Sequence, residues 1–150
     1  MQDDESAHGH PAAQTSGSAQ RAAREVSEPV MVLDVPREVE LLRREPAWAQ
    51  GDRNAKTLVK EPDLRVVLTV LKQGASLREH RVPGTATVQV LSGRARLHLA
   101  SRQVDVSTGG VVSLERDLPH DLEALEESAV LISIAWPAEA PTRGADLSGR

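Results

Sequence analysis

The chain has 150 residues, 39% of them hydrophobic, a formal net charge of −4 and no cysteine. That length supports one domain with one core, and the lack of cysteine removes disulfides and thiolate metal sites, as suits a reducing compartment. The basic residues are scattered rather than striped, and no apolar run is long enough for a bilayer or a secretory signal. A cytoplasmic protein without nucleic-acid or membrane partners is therefore expected. With no Phe or Tyr and only Trp48 and Trp136, the core must be built from Val, Leu, Ile and Ala.

Residues 1–28 are rich in Ala, Gln, Ser, Gly and His and nearly free of large apolar side chains. Such a segment cannot bury enough surface to offset its ordering entropy, so a disordered tail is expected. The pair His8 and His10 within it reads as incidental. A helix and linker follow over 29–50. Asp34 is placed to cap the helix, Pro36 suits its first turn, and Val39, Leu41 and Leu42 supply an apolar stripe. Glu45-Pro46 should end it, because the residue before proline is driven from helical angles. Trp48 then lies in a loop and is expected to anchor that loop on the main domain.

Beyond Lys56 the periodicity becomes strand-like. LRVVLTVL (64–71) is an almost unbroken apolar run, as in a strand covered on both faces. RARLHL (94–99) and QVDV (103–106) alternate as half-buried strands do, and VVSL (111–114) and AVLISIA (129–135) add two more. Turn signals separate them at 72–74, 83–84, 92–93, 108–110 and 126–128. Short strands at such regular spacing predict an all-β fold over 51–138, and the polar residues 139–150 form a frayed tail.

Two stretches stand apart. Residues 74–93, GASLREHRVPGTATVQVLSG, and 109–125, GGVVSLERDLPHDLEAL, each carry a glycine turn and then one histidine, His80 and His120. Gly74, His80 and Gly93 fit the pattern G, five residues, H-x-H, three or four residues, E, six residues, G. Gly109, Pro119 and His120 fit G, five residues, P-x-G, two residues, H, three residues, N. The chain thus resembles the cupin superfamily over roughly residues 56–137. The resemblance implies a jelly-roll barrel (a double-stranded β-helix), closed against edge pairing, with both histidines at its mouth and one metal shared between them.

Five departures bear on the chemistry. Val82 replaces the second histidine of the first motif and Ala86 its carboxylate. Glu115 and Asp117 stand at the proline and glycine of the second motif, and Ala124 at its asparagine. Alternation along a strand puts Glu79 and Arg81 on the face away from His80, and Asp121 and Glu123 away from His120. It likewise separates Gln89 from Ala86. No third protein ligand emerges. His80 and His120 alone would hold one divalent transition metal (Fe, Mn, Zn, Ni or Cu) only weakly, since catalytic zinc sites supply three protein ligands.

The lining expected for a ligand pocket is His80, Val82, Ala86, Val88, His120 and Leu122, aliphatic walls around two polar groups. His98, Arg94 and Arg96 fall on the polar face of their strand. The arginines there, with Arg78 and Arg81, read as solvated or paired with carboxylates rather than as an anion site. Glu115 and Asp117 either orient His120 or stand exposed. Two functions compete on these residues. One is a small-molecule binder using the barrel mouth; the other is a metal-dependent enzyme of dioxygenase or isomerase type with an incomplete ligand set. Ligand count favours the binder. A homodimer is expected, with the run 64–71 as a candidate contact.

Overall fold

The computed structural model describes residues 28–80 and 82–136. Of the tails expected over 1–28 and 139–150, residues 1–27, with His8 and His10, and 139–150 lie outside the described residues. Helix α1 spans Val35–Leu42, shorter than the periodicity suggested. It starts where the cap dictates: the Asp34 side chain accepts a hydrogen bond from the Arg37 N–H at 3.2 Å, and Pro36 occupies the first turn.

Glu45-Pro46 does interrupt the helix, but the segment after it is not a loop. Pro46–Gln50 form a second short helix, α2, with the proline at its start. A residue that cannot continue one helix is well suited to begin another, because its missing N–H has no partner to lose there. Trp48 therefore sits on a helical turn and still acts as the expected anchor. It packs with Leu42 and Leu68, and Arg43 and Lys72 lie 5.8 and 5.0 Å from its ring centre.

Nine strands follow: β1 Arg53–Lys60, β2 Leu64–Leu71, β3 Ser76–His80, β4 Thr85–Ser92, β5 Arg94–His98, β6 Gln103–Ser107, β7 Val111–Leu114, β8 His120–Ala124 and β9 Ser128–Ala135. They form two antiparallel sheets, ordered β1-β2-β9-β4-β7 and β3-β8-β5-β6. The two sheets face each other as the expected jelly roll. Alternation assigns the interior. Ala86, Val88 and Val90 of β4, Val130 of β9, Ala95 and Leu97 of β5, and Leu122 and Ala124 of β8 are all buried in one aliphatic cluster.

The outer face of the five-stranded sheet is apolar as well. Leu58, Leu68, Val70 and Ala129 are buried there under Leu33, Val35, Val39, Leu42 and Trp48. This explains the unbroken run 64–71. Val66, Leu68 and Val70 face the helices, whereas Leu71 packs into the barrel core. Each fully buried Leu or Val is worth roughly 1.5–3 kcal/mol, so this cover is a substantial part of the fold. β1 and β9 flank β2, and Leu68–Leu71 at its end are buried within the chain.

Polar contacts lock the cover down. The buried Asn54 donates from Nδ2 to the Leu42 carbonyl at 3.0 Å and to Glu45 Oε1 at 2.8 Å, while its Oδ1 accepts from the Ala55 N–H at 3.0 Å. A carbonyl at the end of α1, which has no partner within the helix, is thereby satisfied by the barrel. Lys56 Nζ reaches Glu38 Oε2 at 2.6 Å. No helix among the described residues is long and apolar enough to cross a membrane.

The motif glycines Gly74, Gly93 and Gly109 all have positive φ, at 86°, 86° and 90°. Gly93 is doubly constrained, since a Cβ there would lie 2.3 Å from both the Glu127 carbonyl oxygen and Ser128 Oγ.

Candidate functional site

β3 and β8 pair at one end of the barrel. Leu77 faces Leu122, and His80 faces His120. Leu77 and His80 are three positions apart on β3, whereas Leu122 and His120 are two apart on β8, so β3 carries a bulge. Strict alternation from the buried Leu77 would put position 80 on the outer face. The bulge takes up one residue and returns it to the register of His120.

On β8 the alternation is clean. His120, Leu122 and Ala124 are buried, and Asp121 and Glu123 lie on the opposite side. His120 is 7% exposed. Its Nδ1 lies 2.8 Å from the Leu118 carbonyl oxygen. A carbonyl can only accept, so Nδ1 carries the proton, and in the neutral ring Nε2 is the lone-pair nitrogen. The ring is oriented by main chain, and neither Glu115 nor Asp117 serves that purpose; both are exposed.

Asp117 has a different role. Its φ is +61°, and it is the single non-glycine residue with positive φ among those described. This is the position at which the second motif has glycine. Asp is one of the few side chains that tolerates left-handed angles. The turn lets the Asp117 N–H donate to the Val82 carbonyl at 2.9 Å, tying the segment after β3 to the segment before β8.

Ala86 and Val88, from the facing sheet, pack in the same aliphatic cluster as Leu122, with Leu114, Leu118, Ile132 and Ile134 around them. Val82 is half-buried above them. Ala86, Val88 and Leu122 are thus closely packed in one buried cluster.

Among the described residues no group of three or more His, Cys, Asp or Glu side chains converges to hold a metal. The donors do not fit a tightly held resident metal, because positions 82 and 86 supply only aliphatic side chains.

The other polar candidates are paired away from this end. Arg96 grips Asp105 through Nε at 2.7 Å and a second nitrogen at 3.0 Å, and Arg94 lies near Asp105 and Glu126. The Arg96 hydrogen bonds hold the Asp105 carboxyl below the usual carboxylate range. His98 Nε2 meets Glu123 Oε1 at 2.9 Å on the outer face of the four-stranded sheet.

One group at the same end was missed by motif reading. Leu64 faces Ala135 and Ala135 faces Thr85, so the start of β2, the end of β9 and the start of β4 lie together. There Lys60, Glu61, Pro62, Arg65 and Trp136 line an open recess of 540 Å³. The Arg65 guanidinium stands 5.4 Å from the Trp136 ring centre. Alternation would have found Arg65, since it shares the inner-face parity of Leu71; the apolar run around it hid the signal.

The profile of the family described as "Cupin domain" matches residues 67–135. The barrel is a cupin domain. None of the curated proteins matches the sequence of this cupin. Solved structures do. A conserved protein of unknown function from Streptococcus pyogenes is 25% identical, covering 79% of this chain and 97% of its own, with a TM-score of 0.60. A cupin superfamily protein from Desulfitobacterium hafniense DCB-2 is 15% identical over 57% of this chain and 79% of its own, TM-score 0.56. KdgF from Halomonas sp. is 21% identical over 59% of this chain and 82% of its own, TM-score 0.52. The latter two likenesses are of fold alone.

Proposed function

We propose that this cupin binds a small organic molecule at the barrel mouth, with His80 and His120 as its polar groups and Val82, Ala86, Val88 and Leu122 as its apolar wall. The observation that carries the reading is the register of His80 opposite His120, with the latter held as the Nδ1–H tautomer. An Nε2 lone pair on a ring oriented by main chain suits a hydrogen bond from a ligand hydroxyl or amine. Two histidines among aliphatic residues match the usual composition of a small-molecule site. The same two nitrogens would bind a divalent transition metal only weakly, so the reading does not depend on one.

The test uses the full chain with His8→Ala and His10→Ala, to remove the tail pair. Bound metal is measured after exposure to Fe, Mn, Zn, Ni and Cu, and melting is followed against neutral phenols, diols and sugars. We expect substoichiometric metal, and a ligand-induced rise in Tm that His120→Ala and His80→Ala both abolish. Near-stoichiometric metal lost in both variants would favour a metal-dependent enzyme instead. A folded protein with no histidine-dependent shift from any compound would sink the binder.

A further inference from the structure

We infer that the recess formed by Lys60, Arg65 and Trp136 is an organic-carboxylate site, separate from the histidine pair. Lys60 and Arg65 are direct cross-strand partners on β1 and β2, so their charges converge on one place. Several of the arginines and lysines around the barrel are ion-paired: Arg43 with Glu127, Arg53 with Asp52, Lys56 with Glu38, and Arg94 and Arg96 with Asp105. Among the described residues no salt bridge joins Lys60 or Arg65 to a carboxylate, and the Arg65 guanidinium stands over the indole of Trp136. Arg65 is also half-buried, at a strand position of inner-face parity opposite Ile134. A guanidinium held there without an ion-pair partner among the described residues is well placed to recognise an anion.

The lining narrows the class. Glu61 joins the two cations at the rim, so their sum is a single positive charge, which suits a monoanion better than a phosphate dianion. The guanidinium fork matches a carboxylate in two parallel hydrogen bonds. Pro62 and Trp136 give apolar walls, and 540 Å³ is the size of a small-molecule site rather than of a bare ion. An aromatic or alicyclic monocarboxylate satisfies all three features. The inference stands whether or not the histidine pair binds a ligand.

The experiment follows the Trp136 indole N–H signal in the ¹⁵N-labelled full chain, assigned by its loss in Trp136→Phe. Acetate, benzoate and 2-naphthoate are titrated, with benzamide and inorganic phosphate as controls. Benzoate and 2-naphthoate should shift the signal saturably below about 10 mM, a range ordinary for ligands of this size. Arg65→Gln should weaken that binding about tenfold or more, as loss of a charge-assisted pair does, and Lys60→Gln by less. His120→Ala should leave it unchanged. Benzamide binding as well as benzoate, phosphate binding better than benzoate, or no carboxylate shifting the signal would overturn the proposal. So would an Arg65→Gln protein that remains folded and binds benzoate as before. Loss of binding in His120→Ala would place the carboxylate at the histidine pair instead.

Discussion

His80 and His120 are direct cross-strand partners, brought into register by a bulge on β3. One of the two is already committed in its protonation. Because Nδ1 of His120 donates to the Leu118 carbonyl, the imidazole ¹⁵N shifts at pH 8 should report a protonated Nδ1 and an unprotonated Nε2. An Nε2–H tautomer would contradict the geometry of the site.

Asp117 holds a left-handed conformation that glycine adopts without strain. Asp117→Gly should therefore stabilise the barrel by about 0.5 kcal/mol, the relief of strain slightly exceeding the added freedom of the unfolded chain. Asp117→Val should cost about 1–2 kcal/mol, since a β-branched side chain fits that region worst. Urea midpoints at constant m-value would give the order Gly, Asp, Val. A valine variant as stable as the parent would refute it.

Gly74 and Gly93 share a φ of 86° but not their surroundings. Nothing lies within 4 Å of a Cβ at Gly74, whereas a Cβ at Gly93 would press into the Glu127 carbonyl. Gly74→Ala should cost only the conformational term, about 1 kcal/mol. Gly93→Ala should cost about 3 kcal/mol or more, because backbone must move. Equal losses in Tm for the two variants would mean that crowding at Gly93 is easily relieved.

Asn54 joins the helical cover to the barrel through three hydrogen bonds made in full burial. Asn54→Ala should destabilise by about 2–3 kcal/mol, chiefly through loss of its buried hydrogen bonds to the Leu42 carbonyl, Glu45 and the Ala55 N–H. Trp48 emission, which reports on the cover, should shift red before the far-ultraviolet strand signal is lost. Coincident transitions at the parent's midpoint would sink this prediction.

The Asp105 carboxyl is lowered by hydrogen bonds from Arg96. A folded value below the unfolded one means that the contribution is complete above about pH 4 and is lost as pH falls through the folded value. Replacing Asp105 with Asn should lower Tm near neutrality and have little effect near pH 2. The gap between the two proteins should also narrow at 1 M salt, since the pair is exposed and screened. A gap that widens on acidification would contradict the assignment.

The barrel was legible in the sequence because alternation, turn glycines and β-branched runs all act locally. Asp34 and Pro36 set the start of α1 by their own chemistry. What could not be read was any feature that depends on a neighbour distant in the chain. The bulge before His80 exists only in relation to β8, and strict alternation gave the wrong phase from Leu77. α2 was hidden because Pro46 signals a stop as plainly as a start. Arg65 was masked by the apolar residues around it, although its parity with Leu71 was available. Asp117 looked like a departure from a motif, and the structure shows it keeping the glycine's conformation with another side chain.

The helical cover has a consequence for how this protein should be handled. The family match begins at Val67, inside β2, and leaves out α1, α2 and β1. Cutting there would strip the outer sheet face at Leu68, Val70 and Ala129 and remove the strand that shields the edge of β2. Such a fragment would carry a bare aliphatic face beside an unpaired strand, the combination that drives chains to associate. A trimmed version for crystallisation or binding work should begin no later than about Leu33, which already packs on that face.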